Sequence, residues 1–115
     1  MVQCAATRLD ASFAALSDPT RRGVLEQLGK GTASISDLAG RFDMTLTGMK
    51  KHVAVLEQAG LVRTEKVGRV RTCSLGFLSL EAEAAWIERY RQQWEERFNQ
   101  LDAVLAEMTA KGEEQ

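Results

Sequence analysis

The stretch TLTGMKKH, residues 45–52, sets two threonine hydroxyls, two ammonium groups and the chain's only histidine within about two helical turns. Groups of these types serve nucleophilic or acid–base catalysis, metal binding, or contact with phosphates and base edges. A nucleophile needs a base and a group that orients it. His52 would have to be that base, yet it directly follows Lys50 and Lys51, and the chain has no G-x-S-x-G, phosphate loop or dinucleotide glycine pattern. A thiolate or imidazole metal site needs several converging ligands. Cys4 and Cys73 form no C-x-x-C pair, and no second histidine exists. Neither catalytic residues nor a metal or other cofactor is therefore expected, and binding to a polyanion is left.

The charge distribution agrees with that choice. The net charge is only −1, but residues 50–71 hold Lys50, Lys51, Arg63, Lys66, Arg69 and Arg71 against Glu57 and Glu65. That segment carries +4, whereas residues 72–115 carry −5. A neutral average thus hides a cationic middle suited to phosphate and an acidic tail that repels it.

The elements that position these groups are short helices with readable ends. Residues 10–17 form a first helix. Asp18 caps a second, Pro19 fits its first turn, and Gly29 or Gly31 ends it. SISDLAGRF is a third, with Ser34 and Asp37 at capping-box spacing and Ile35, Leu38, Ala39 and Phe42 inward. After a tight connection at Asp43-Met44, Thr45 caps the fourth. There Leu46, Met49, Val53 and Leu56 follow the spacing of a buried stripe. Lys51 lies opposite that stripe beside Thr47 and Gly48, with Lys50 and His52 on its flanks. Val55 falls on the outer side and is expected to pack under the next element. That element is a β-hairpin, LVRTEKVGRVRTCSL, with Val67-Gly68 as its turn. The register then pairs Val62 with Cys73, Thr64 with Arg71 and Lys66 with Arg69, apolar at the base and cationic at the tip.

From Ser79 to about Ala110 there is neither proline nor glycine. Leu80, Ala84, Ile87, Arg91, Trp94, Phe98, Leu101, Leu105 and Met108 alternate in steps of four and three. Such a helix is longer than the rest of so small a domain can cover. Its stripe, flanked by Trp86 and Tyr90, implies burial against a partner chain; two helices folded back on each other is the alternative. The fold class is therefore mainly α with a small β-hairpin wing. Residues 1–78 form a winged helix-turn-helix DNA-binding domain and residues 79–115 a C-terminal dimerisation helix and tail. No apolar run is long enough for a membrane span or signal peptide, which points to the cytoplasm.

Two helices joined by a short turn, the second starting with polar and cationic side chains, form a helix-turn-helix whose second helix enters the major groove. Thr47 and Lys51 reach base edges; Lys50 and His52 lie nearer the backbone. Gly48 either permits close approach to a base pair or is simply tolerated. Lys66, Arg69 and Arg71 make the hairpin a wing for phosphate or minor-groove contact.

ALSDPTRRGVLEQL, SISDLAGRFDMT, KHVAVLEQAGLV and KVGRVRTCSL, in that order between Phe13 and Leu75, resemble the ArsR-type winged helix-turn-helix repressors. The resemblance implies a homodimer that binds an imperfect palindrome in double-stranded DNA and leaves it when an inducer binds. The founding metal sensors of that family carry C-V-C-D-L where this chain has SISDL, so Ser34 and Ser36 stand in place of the thiolates. The zinc site that other members build on paired C-terminal helices needs histidine, and none follows His52. The metal sites known in the family are therefore not expected here, and no small-molecule effector is identified.

The expected function is a sequence-specific DNA-binding regulator, a homodimeric repressor of its own or a neighbouring operon. Thr45, Thr47, Gly48, Lys50, Lys51, His52, Lys66, Arg69 and Arg71 face DNA. Trp86, Ile87, Tyr90, Trp94, Phe98, Leu101 and Leu105 face the second protomer. Two rivals remain: a winged-helix module that binds a protein through the same surface, and a thiol-responsive regulator switched through Cys73. For Cys73 the plainer reading is a small buried apolar residue on the wing strand.

Overall fold

The computed structural model describes residues 5–77 and 80–113, with side chains for residues 8–77 and 80–110. Cys4 and the expected domain boundary at residues 78 and 79 lie outside them. The elements are α1 (Ala5–Leu16), α2 (Pro19–Gly29), β1 (Ala33–Ser34), α3 (Ile35–Arg41), α4 (Leu46–Gln58), β2 (Val62–Val67), β3 (Val70–Leu75) and α5 (Glu81–Glu113). The chain divides into two compact units after Glu81.

Three helix starts in the first unit follow one rule. Asp18, Ser34 and Thr45 sit in extended conformation, and each side-chain oxygen accepts the backbone N–H three residues on, at 3.0 Å. Each cap satisfies a donor that the first helical turn leaves open, typically worth about 1 kcal/mol. At Asp18 the Arg21 backbone N–H also holds the carboxyl below the usual carboxylate range. Between α3 and α4, Asp43 takes φ 51°, a left-handed conformation that aspartate tolerates better than most residues. The Met44 N–H then donates to Ala39 O at 2.9 Å and closes the turn.

The apolar faces of these helices meet in one core of Val24 and Leu28, Ile35, Leu38 and Ala39, and Met49, Val53 and Leu56. Leu25 and Phe42 pack against it, partly buried. Two residues depart from the expected pattern. Leu46 is 45% exposed: it opens α4 immediately after the cap, beyond the reach of the helices that cover Met49 and Val53. Val55 also stays exposed, so the hairpin does not cover it. α1 begins at Ala5, five residues before its expected start, on a stretch with no capping residue to mark it.

The wing is a three-stranded antiparallel sheet in the order β1-β3-β2. Its register corrects the expected one. Val62 pairs with Leu75, Thr64 with Cys73, Lys66 with Arg71 and Val67 with Val70, leaving Gly68-Arg69 as the turn. Gly68, first in that turn, has φ 64°. A Val67-Gly68 turn would have asked a β-branched residue to adopt positive φ, which valine avoids. The two registers differ by two residues, so every shared strand position keeps its face; Arg69 moves from the strand to the tip.

Ala33 and Ser34 add β1 opposite Cys73 and Thr72. Cys73, flanked by both neighbouring strands, is fully buried, and desolvation raises its thiol above the ordinary range. A redox switch needs an accessible thiolate, so the structure supports the packing role. In a Cys4→Ser background, Cys73 should react with a thiol reagent at pH 8 about 100-fold more slowly in native protein than in urea. Comparable rates in the two states would restore the thiol switch.

The second unit is α5, 33 residues and about 50 Å long at 1.5 Å per residue. Leu80, at φ 62°, stands outside it, so the stripe starts at Ala84. Trp86 stacks on Tyr90 with centroids 5.6 Å apart, Tyr90 meets Trp94 edge-on at 6.3 Å, and Trp94 leans on Phe98 at 5.7 Å. All the large apolar residues from Trp86 to Met108 are between 44% and 64% exposed. The one charge in the stripe, Arg91, is paired on its own helix with Glu88 at 2.8 Å and with Glu95. That pairing holds the Glu88 carboxyl below its ordinary range. None of the described helices is long and apolar enough to cross a membrane.

Candidate nucleic-acid interface

The surface built by α3, α4 and the wing is a groove of about 440 Å³. It gathers Lys50 from α4 with Lys66, Arg69 and Arg71 from the wing, and it adds Ser36 and the exposed Leu46. Four of the expected DNA-facing residues thus converge. Among the described residues, none of the four cations is ion-paired to a carboxylate. Lys66 and Arg71 are even direct cross-strand partners. Like charges facing each other across a ladder oppose pairing, and a phosphate between them would reverse the sign of that contribution.

Arg71 is also anchored at its base. Its Nη1 donates to Thr64 Oγ1 at 3.1 Å, and the Thr64 hydroxyl and backbone N–H both donate to Glu57 Oε2, at 2.6 and 3.2 Å. Glu57 belongs to the last turns of α4, so this chain of bonds ties the wing to the helix beside it.

The remaining expected residues divide. Thr47 and Lys51 are exposed on α4 and do not line the groove. Thr45 is exposed, but its oxygen serves as the cap. Gly48 has surroundings not foreseen from the sequence. A Cβ there would stand 3.1 Å from the capping Thr45 Oγ1 and 3.5 Å from the Met44 methyl, a close contact on the inner side of the first turn.

His52 does not sit as expected on the phosphate flank. Its Nδ1 lies 3.3 Å from Arg21 Nη1 and 3.8 Å from Asp18 Oδ2, and only 20% of its side chain is exposed. The imidazole faces the start of α2, where the α1–α2 corner supplies partners that the periodicity of α4 alone does not reveal. Ser36 and Leu46 line the groove for a related reason. The caps of α3 do not reveal the one, nor the stripe of α4 the other; only the folded wing brings both beside the cations. Among the described residues, no three His, Cys, Asp or Glu side chains group closely enough to hold a metal ion.

With this geometry in place, the likeness to known proteins is specific. A helix-turn-helix domain family matches residues 16–65, from the end of α1 into the wing. The chain is 31% identical over 75 residues to the transcriptional repressor SdpR of Bacillus subtilis, covering 65% of this chain and 83% of that one. It is 44% identical to an ArsR family transcriptional regulator of known crystal structure, with a TM-score of 0.72 over 83% of this chain and 97% of the other. An ArsR-like transcriptional regulator from Rhodococcus sp. RHA1 is 34% identical with a TM-score of 0.73, over 85% and 90% of the two chains. The chain belongs to the ArsR family of winged helix-turn-helix transcriptional regulators.

Proposed function

We propose that this regulator is a homodimeric repressor that binds an imperfect palindromic operator in double-stranded DNA, upstream of its own or a neighbouring operon. The observation that carries the reading is the groove in which Lys50, Lys66, Arg69 and Arg71 converge without carboxylate partners among the described residues. Lys50 and the wing cations hold phosphates and fix the register of the protein on the duplex. Thr47 and Lys51, on the outward face of α4, read base edges in the major groove. Two protomers joined through α5 present their α4 helices to successive major grooves, about 34 Å apart on one side of the duplex.

Fluorescence anisotropy at fixed salt tests this directly, comparing DNA from upstream of the gene with a shuffled fragment of equal length. A preference of about a hundredfold or more is expected for a specific regulator. Equal, weak binding to both would favour the protein-interaction module. The roles within the site separate by substitution. Lys50→Ala or Arg69→Ala should weaken binding to operator and random DNA alike and lower the salt slope by about two, one for each protomer. Thr47→Ala and Lys51→Ala should cost more on the operator than on random DNA, with about 1–3 kcal/mol at stake for the lysine. Equal losses on both DNAs would remove these two from base reading.

A further inference from the structure

Arg21 stands where three elements of the first unit meet. Its backbone N–H donates to the capping Asp18. Its Nε donates to Ala15 O at 2.8 Å and its Nη2 to Ala14 O at 3.0 Å, satisfying two carbonyls at the end of α1. The remaining nitrogen, Nη1, is 3.3 Å from His52 Nδ1, in the middle of α4. A guanidinium has donors only, so it donates to Nδ1 when the ring proton is on Nε2; Asp18 Oδ2, at 3.8 Å from the same Nδ1, is too far for a hydrogen bond. Arg22 separately donates to Leu16 O at 2.7 Å, so the α1–α2 corner does not depend on Arg21 alone.

We infer that Arg21 is a positioning residue for DNA reading: its guanidinium, donating to His52 Nδ1, fixes the roll of α4 about its axis and so the aim of Thr47 and Lys51. The inference rests on the DNA-binding reading above. His52 directly follows Lys51 and lies five residues after Thr47, so a tether there acts on the part of the helix that carries both. With side-chain tips about 5–6 Å from the axis, a 10° roll moves them by roughly 1 Å. Long, exposed lysines and arginines absorb such a shift against phosphate. Hydrogen bonds to base edges, which weaken steeply when misaligned, do not. Loss of the tether therefore falls on sequence discrimination, not on general affinity.

The test uses the tightest duplex selected by the wild-type protein from a random library, with a shuffled duplex as reference. His52→Leu removes the acceptor and leaves the α1 carbonyls capped. Arg21→Met removes the donor. His52→Asn places Oδ1 near the position of Nδ1. His52→Leu and Arg21→Met should each weaken binding to the selected duplex about tenfold. Binding to the shuffled duplex should change less than about twofold, with the salt slope intact. The double variant should be no worse than either single one, and His52→Asn should retain most of the affinity.

Equal losses on both duplexes with a shallower salt slope would make His52 a direct phosphate contact and overturn the inference. Additive losses in the double variant would overturn it as well. Should Arg21→Met fail to fold, the His52→Leu and His52→Asn pair decides alone. Nitrogen-15 spectra of the DNA-free protein give a second readout, with the Nε2–H tautomer expected and an Nδ1–H tautomer contradicting the contact. A wild-type protein that enriches no duplex would remove sequence reading itself and this inference with it. Wild-type discrimination retained in every variant would remove only the role of Arg21.

Discussion

Gly76→Ala is expected to destabilise the protein by about 3 kcal/mol, a large share of the total stability of a domain this size. A Cβ at Gly76 would lie 2.3 Å from Gly60 O and 3.0 Å from Leu61 C, both backbone atoms, so no side-chain rotation relieves it. The same crossing carries the bond from Gly76 N–H to Leu61 O at 2.9 Å, which pins the end of β3 to the start of β2. Forcing the two apart costs that bond and disturbs the buried Leu61 and Val62 beneath the wing. Gly29→Ala is the internal control. Nothing lies within 4 Å of a Cβ there and its φ is not positive, so that change should be neutral or stabilise by up to about 1 kcal/mol. Urea unfolding of both variants, at one protein concentration because assembly would shift the midpoint, should show a lowered midpoint for Gly76→Ala and an unchanged or raised one for Gly29→Ala. A Gly76→Ala midpoint equal to wild type would show that the crossing relaxes easily.

The parts of this architecture legible in the sequence are those decided within a few residues. Asp18, Ser34 and Thr45 cap helices because a short side chain three residues from an open N–H suffices, whatever else the fold does. α5 was legible because thirty residues without a breaker keep one apolar periodicity. β1 was not. Its two residues gain strand character only from Cys73 and Thr72, some forty positions later. The hairpin was recognised, but its register turned on whether Gly68 stood first or second in the turn, a choice that backbone φ settles.

The site divides along the same line. Lys50, Lys66, Arg69 and Arg71 were identifiable because cations seek the surface, and the hairpin had to carry three of them beside α4. The surroundings of His52 are not legible because helical phase gives a direction and not a neighbour, and its neighbours lie thirty-one and thirty-four positions earlier, at Arg21 and Asp18. Leu46 shares the phase of Met49 and Val53, but it lies in the first turn beside the cap, where the wing leaves it 45% exposed. Periodicity states which residues could be buried together; the ends of elements decide which of them are.

Leu101→Glu is expected to separate the protomers and, through that alone, to reduce operator affinity by about a hundredfold or more. Leu101 is 53% exposed on α5, in an apolar stripe that runs from Trp86 to Met108, so the single chain loses little by the change. In a dimer joined through this face, the same substitution buries two unpaired carboxylates at a cost of several kcal/mol. Each freed protomer would keep its cationic groove, capped α4 and wing, and so should still bind a half-site weakly with a salt slope about half that of wild type. Sedimentation velocity would report the mass, and anisotropy on the full and half operator would report the lost linkage between half-sites. A monomer that binds the full operator as tightly as wild type would show that the palindrome is read without α5. A Leu101→Glu dimer of unchanged stability would place the interface elsewhere, and the apolar face of α5 would then need a different partner.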